Sequence, residues 1–263
     1  NSYSATYNQN NDTKNYTTET VSIKVYGKTY IDIKTSVNGT GGTISASMEN
    51  VLEGASKTIT FTPSEGYEID KVTINGTETS VTNNALTITA GTEDLKIVVY
   101  YKIIQYTITI TASNAETDPS GIITVDYNSN QEITITANFG YKLTSVLVGN
   151  IEMISELDDE VLTLSNITSN QTITVTAEQI TYDYLEGAGQ TYTIDKNTTA
   201  TFRIDADYSL FSKVYVDGNL VDSANYWAKS GSTIVTFTED YMESLSEGTH
   251  TLKVAFTNGG EAT

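Results

Sequence analysis

An all-β fold is predicted, and three observations predict it. Apolar and polar residues alternate at Val21, Ile23 and Val25, at Ile31 and Ile33, Ile59 and Phe61, Val72 and Ile74, Ile108 and Ile110, Ile133 and Ile135, and Ile173 and Val175, the period of a half-buried strand. Turn formers punctuate these stretches at Asn38-Gly39, Asn75-Gly76, Asp118-Pro119-Ser120-Gly121, Gly149-Asn150 and Asp217-Gly218, and such pairs supply the positive φ that tight hairpins need. No segment of ten or more residues keeps a helical stripe; the short-helix candidates are 207–211 and 239–245.

In chain order, Val21 to Tyr26 followed by Tyr30 to Ile33 has the pattern of Ile97 to Tyr101 followed by Tyr106 to Ile110. Residues 1–27 are therefore expected to be a partial β element, the closing hairpin of an upstream module. Self-comparison then finds a repeat. Tyr30 to Ile33, Gly42-Thr43-Ile44, KTITFTPSEGYEIDKVTING and LTITAGTEDLKIVVYYK are followed in the same order by Tyr106 to Ile110, Gly121-Ile122-Ile123, QEITITANFGYKLTSVLVGN and LTLSNITSNQTITVTAEQ. Gly66-Tyr67 matches Gly140-Tyr141 at an offset of 74 and Ile97 matches Ile173 at 76, so two residues are inserted before Leu162. On this alignment Asn138 stands where Pro63 stands, and Tyr67 and Tyr141 fill equivalent buried corners.

The repeat, over 28 to 179, resembles the divergent internalin-type B-repeat of Gram-positive surface proteins. Its marks are a glycine-led strand, a corner ending in Gly-Tyr, and a closing strand of the form T-x-x-x-x-I-x-V. From Tyr182 onward, TFRIDADYSLFSKVYVDG and the ordered run Tyr241-Met242, Leu245, Gly248-Thr249-His250-Thr251-Leu252 resemble the immunoglobulin-like X-type module of bacterial surface proteins, cellulosomal scaffoldins and glycoside hydrolases. That module is catalogued with carbohydrate-binding domains. The resemblances imply an elongated array of two small β-sheet repeats, 28–102 and 103–179, and one immunoglobulin-like β-sandwich, 180–263, whose last strand is expected to be truncated.

Composition narrows the function. There are 33 acidic and 14 basic side chains, a net charge of −19, and a single arginine, Arg203. Nucleic acid needs clustered Lys and Arg to neutralise phosphates, so nucleic acid and acidic membranes are excluded as partners. No cysteine is present, which removes disulfides, thiolate metal sites and cysteine nucleophiles. An acidic, cysteine-free, threonine-rich β protein suits the exterior of a Gram-positive bacterium. No apolar run reaches the roughly 18 residues that cross a bilayer, so no membrane insertion is expected, and the chain reads as a monomer within a longer protein.

Candidate chemistry is sparse. His250 is the only histidine and reads as a strand residue just after a turn. Glycosidases need two carboxylates about 5 to 10 Å apart, one with a raised pKa, and no acidic residue here has an apolar neighbourhood. Asp205 with Asp207, Asp158-Asp159-Glu160, and Asp217 with Asn219 lack the EF-hand pattern, so no metal and no cofactor is expected. Tyr100-Tyr101 and Tyr182 with Tyr184 are expected to pack module junctions. Aromatic rings hold sugars by covering a pyranose face while polar groups bond its hydroxyls. Trp227, the sole tryptophan, is the candidate, flanked by Asn225, Tyr226 and Lys229; alternation turns it away from an inward Tyr226. The expected function is a non-catalytic spacer, adhesion or presentation region that contacts cell-surface or polysaccharide glycans or a host protein. The alternative is a carbohydrate-binding accessory module of a polysaccharide-degrading enzyme or scaffoldin.

Overall fold

The computed structural model describes residues 23, 26–194 and 199–263. Apart from Ile23 and Tyr26, the expected N-terminal hairpin partner lies outside them. The described chain is nearly all β and divides into two compact units, Asn1–Ile104 and Gln105–Thr263.

The first unit contains β1 (Tyr30–Asn38), β2 (Gly42–Ile44), β3 (Met48–Leu52), β4 (Ser56–Pro63), β5 (Tyr67–Ile74), β6 (Thr77–Thr79), β7 (Ala85–Thr89) and β8 (Leu95–Ile103). They form a five-stranded sheet, β3-β1-β8-β5-β6, and a three-stranded sheet, β2-β4-β7. Alternation decides which side chains meet: Ile59 and Phe61 of β4 point inward with Leu86 and Ile88 of β7, against Ile31, Ile33, Val72, Ile97 and Val99 of the larger sheet. Each fully buried aliphatic side chain contributes roughly 1.5–3 kcal/mol by leaving water. β1 and β8 pair in parallel and every other pairing is antiparallel. Asn75 and Gly76, at φ 49° and 87°, make the tight turn from β5 to β6 that their sequence predicts.

The second unit begins with the same plan. Its strands are β9 (Gln105–Ser113), β10 (Ala115–Asp118), β11 (Gly121–Asp126), β12 (Gln131–Ala137), β13 (Tyr141–Val148), β14 (Ile151–Glu152), β15 (Val161–Leu164) and β16 (Gln171–Gln179). The sheets are β11-β9-β16-β13-β14 and β10-β12-β15, again with one parallel pair, β9 with β16. Ile59 faces Leu86 across the small sheet of the first copy, and Ile133 faces Leu162 across that of the second. The extra residues lie around a 3₁₀ turn, Ile154–Glu156.

Register corrects the alignment in three places. The counterpart of Gly42–Ile44 is Ala115–Asp118, because each is the strand paired with β4 or β12. Gly121-Ile122-Ile123 instead belongs with β3, each pairing the first strand of its copy. Ala137, not Asn138, stands where Pro63 stands: Gly42 faces Pro63 and Ala115 faces Ala137, while the Ser64 and Asn138 carbonyls accept from the Tyr67 and Tyr141 N–H groups at 3.0 and 2.9 Å. Tyr67 and Tyr141 are half-buried; the glycines before them are the buried members of each corner.

The rest of the second unit holds β17 (Tyr184–Glu186), β18 (Thr201–Ile204), β19 (Phe211–Val216), β20 (Asn219–Leu220), β21 (Tyr226–Lys229), β22 (Thr233–Phe237), α1 (Glu239–Ser244), β23 (Leu252–Phe256) and β24 (Glu261–Ala262). Two four-stranded sheets, β17-β18-β22-β21 and β20-β19-β23-β24, enclose Ile204, Val214, Val235, Phe237, Val254 and Phe256. Helix α1 follows Thr238, whose hydroxyl accepts from the Tyr241 N–H at 3.3 Å, with Glu239 and Asp240 in its first turn; both features favour a helix start. The 207–211 candidate forms a 3₁₀ turn, Tyr208–Leu210, capped by Asp207. β24 is two residues long and pairs with β23, with Ala262 fully buried.

Main-chain hydrogen bonds join the second repeat to this sandwich. The Ile180 N–H donates to the Gly140 carbonyl at 2.8 Å, the Glu261 N–H to Ile180 at 3.2 Å, and the Tyr182 N–H to Glu261 at 2.9 Å. Gly259 lies so close to Gly140 that a Cβ on it would stand 2.5 Å from the Gly140 Cα.

Candidate functional site

β21 is the outer strand of its sheet, and its alternation sorts the predicted site residues onto opposite faces. Tyr226 and Ala228 turn inward. The Tyr226 ring sits 6.0 Å from Phe211 and 6.4 Å from Phe237, and burial, helped by the Asp222 charge, raises its phenol pKa. Tyr226 therefore does not share a surface with Trp227, a correction to its place in the predicted site. Trp227 is 63% exposed. Asn225 ends the 3₁₀ turn Ser223–Asn225, which Asp222 caps by accepting from Ala224; its carbonyl accepts from the Thr238 N–H at 2.9 Å. That turn fixes where β21 starts.

On the outer face, Trp227 faces Thr236, and Thr236 faces Thr201 on β18, the two hydroxyls lying 3.0 Å apart. The neighbouring row runs Lys229, Ile234, Arg203. Arg203 is committed locally: its Nε donates to the Gly231 carbonyl at 3.2 Å and it pairs with Glu186 at 3.3 Å. The structure thus brings Trp227 and Lys229 onto one face with Thr236, Thr201 and Ile234. Tyr208 reaches the strand from outside, its hydroxyl donating to the Ala228 carbonyl at 3.1 Å. Alternation alone does not reveal that contact, because Tyr208 comes from a distant turn.

A concavity of about 890 Å³ opens in the sandwich between Tyr184, Phe202, Phe237, Met242, Leu245 and His250. The Tyr184 hydroxyl donates to the Leu252 and Ala262 carbonyls at 3.1 and 3.3 Å, and burial pushes its pKa up to about 12. His250 lies in the loop before β23 rather than in the strand predicted for it. Its Nδ1 is 2.6 Å from an Asp217 carboxylate oxygen and its Nε2 is 2.7 Å from the Ser246 carbonyl. Asp217 also accepts from the Thr251 N–H at 2.8 Å. The imidazole pKa is raised, chiefly by Asp217 and then by Ser246, and the Asp217 pKa is lowered, chiefly by His250 and then by Thr251.

Other carboxyls move in the same direction as Asp217. Glu152 is held low by the Ser145 hydroxyl first and then by the Val146 N–H, and Asp207 by the Ser209 N–H and hydroxyl. A general acid needs the opposite shift. Among the described residues, no three His, Asp or Glu side chains are grouped to hold a metal ion.

Of the tyrosines expected at junctions, Tyr100 packs on its own sheet, while Tyr101 and Tyr184 reach across to the facing sheet of the same sheet pair. The Tyr101 ring lies against Gly42 and its hydroxyl donates to the Thr43 carbonyl, Tyr100 lies under the Lys71 ammonium at 4.7 Å, and Tyr184 belongs to the sandwich core. Tyr182, edge-on to Phe256 at 4.6 Å, is next to the hydrogen bonds that join the second repeat to the sandwich.

Residues 33–105 match the family model of the divergent InlB B-repeat domain. No curated protein matches the chain. Among solved structures, the chain is similar to the Bacillus anthracis TIE protein, at 12% identity and a TM-score of 0.36, over 87% of this chain and 45% of that one. It is also similar to the SGBP-B protein of the Bacteroides ovatus mixed-linkage glucan utilization locus, solved with a mixed-linkage heptasaccharide, at 14% identity and a TM-score of 0.23, over 80% of this chain and 59% of that one. A titin I9-I11 tandem matches at 9% identity and a TM-score of 0.20, over 90% of this chain and 97% of that one. The chain spans less than two thirds of the length of the two bacterial proteins.

Proposed function

We propose that the chain is a non-catalytic run of three modules, 28–102, 103–179 and 180–263, from an extracellular bacterial surface protein, where it spaces or presents an adhesive region. The third module is read as immunoglobulin-like and X-type. The observation that carries this reading is the hydrogen-bonded splice of Gly140, Ile180, Tyr182 and Glu261: it spends backbone groups on holding one small sheet module against the next, the requirement of a spacer. The B-repeat match over 33–105 supports it. So does the lone histidine, whose two ring nitrogens are both engaged, by Asp217 and by the Ser246 carbonyl. No helix among the described residues is long and apolar enough to cross a membrane.

Hydrogen exchange of the intact chain in rising denaturant tests the modularity. Peptides from the first unit should lose protection at a midpoint separate from those of the second; one shared transition would remove the modular reading. Incubation with plant and mucin polysaccharides should release no product, and turnover abolished by changing one carboxylate would replace the spacer with an enzyme.

A second reading, glycan binding, is favoured by Trp227 specifically. Its exposed ring beside Thr236 and Lys229 is a stacking surface with hydroxyl and ammonium groups at its margin. Titration of soluble oligosaccharides should then give a saturable change in tryptophan fluorescence that is lost in Trp227→Ala. No response across starch, cellulose, mannan and mucin glycans leaves the spacer alone.

A further inference from the structure

An asparagine followed by glycine is where a backbone can attack its own side chain, because glycine has no Cβ to hold the next amide nitrogen away from the carboxamide carbon. The chain has three such steps, Asn38-Gly39, Asn75-Gly76 and Asn258-Gly259, and the fold treats them differently. The Asn75 carboxamide is held at both ends, its oxygen accepting from the Lys96 N–H at 2.7 Å and its nitrogen donating to the Asp94 carbonyl at 3.2 Å. Asn258 is held likewise: its oxygen accepts from the Gly260 N–H at 3.0 Å and its nitrogen donates to the Tyr182 hydroxyl at 2.8 Å. The related Asp217-Gly218 step has its carboxylate occupied by His250 and Thr251. Asn38 stands exposed at the end of β1. Its carboxamide has no hydrogen-bond partner among the described residues, and it precedes Gly39 at φ 86° with open space around it.

We propose that Asn38 is a self-modification site whose substrate is its own carboxamide and whose co-reactant is water. The Gly39 nitrogen loses its proton and attacks the Asn38 Cγ; the new N–C bond closes a five-membered succinimide as the carboxamide C–N bond breaks and ammonia leaves with that proton. Water then adds to one of the two ring carbonyls. Opening on one side leaves aspartate, and opening on the other leaves isoaspartate, with the main chain routed through the side chain. No oxidant or reductant is needed.

Both products add a negative charge, and isoaspartate adds a methylene to the main chain just before Gly41 and Gly42. There the fold has no slack: a Cβ on Gly42 would stand 2.6 Å from the Thr62 carbonyl oxygen and 2.6 Å from the Tyr101 ring. The modification therefore loosens the place where Tyr101 closes over β2.

The test is to hold the intact folded chain at neutral pH and 37 °C, digest it at intervals, and quantify aspartate and isoaspartate at each site by tandem mass spectrometry. Asn38 should convert about tenfold or more faster than Asn75 and Asn258, since a carboxamide locked by two hydrogen bonds reacts only through local opening. In denaturant the three rates should converge, and Gly39→Ala should slow the first site alone. Comparable conversion at Asn75 or Asn258 in the folded chain would overturn the proposal. So would an Asn38 that stays intact when folded yet converts when denatured.

Discussion

The His250 imidazole bridges two acceptors: Nδ1 lies 2.6 Å from the Asp217 carboxylate and Nε2 lies 2.7 Å from the Ser246 carbonyl. A carbonyl oxygen cannot donate and an ionised carboxylate only accepts, so both ring nitrogens must carry hydrogen. The geometry selects the imidazolium.

Stability should therefore follow pH in two limbs. A histidine whose pKa is raised above 6.5 stabilises fully below 6.5, and that contribution is lost as pH rises through the folded value. An aspartate lowered below 3.8 stabilises fully above 3.8, and its contribution is lost as pH falls through its own folded value. Both are complete only between these limits. As the sole histidine, His250 gives an unobstructed NMR titration, whose midpoint should lie above 6.5; His250→Gln should remove the upper limb of the melting-temperature profile. A midpoint at or below 6.5 would contradict the bridge.

At the splice in the second unit, Gly259 has φ 82° and no room for a side chain, whereas Gly149, also at positive φ, 61°, faces open space. Gly149→Ala should cost about 1 kcal/mol, the left-handed penalty alone. Gly259→Ala adds a backbone collision and should cost on the order of 3 kcal/mol. Equal losses in denaturant melts would mean that the contact with Gly140 contributes nothing.

The paired small-sheet positions should behave as equivalents. Ile59 and Ile133 are both fully buried, so Ile→Ala at either should cost roughly 2–5 kcal/mol. Tyr67→Ala and Tyr141→Ala should cost less, because both rings are half-buried. A tyrosine loss exceeding the isoleucine loss in the same copy would reverse that ranking.

Trp227→Ala should change stability by less than about 0.5 kcal/mol, as exposed substitutions away from special features do. Thermal melts read this directly, and it is what allows a lost fluorescence response to be read as lost binding rather than unfolding.

How much of this was legible depended on range. Alternation located the strands because one face of each is dry, and it put Tyr226 and Trp227 on opposite faces. It cannot pair strands across a bend, so from sequence Gly42–Ile44 matches Gly121, whereas the ladders make Ala115–Asp118 its counterpart, β2 pairing with β4 as β10 pairs with β12: two glycine-led runs look alike until their partners are known. The Asp217–His250 bridge was invisible because it spans 33 residues and links two turns, where no periodicity constrains side chains. From sequence Tyr184 resembles a junction residue, because its place between sheets depends on carbonyls of β23 and β24.

The parallel pairing of β1 with β8, and of β9 with β16, has a mechanical consequence. Each ladder spans six residue pairs, and the chain enters at the start of its first strand and leaves at the far end of its last. Tension applied through entry and exit drags the two strands past each other lengthwise, loading the ladder's hydrogen bonds together in shear. An antiparallel pair held at adjacent ends would open one bond at a time, like a zip. Each repeat is thus wired to resist being pulled lengthwise, whatever its thermodynamic stability.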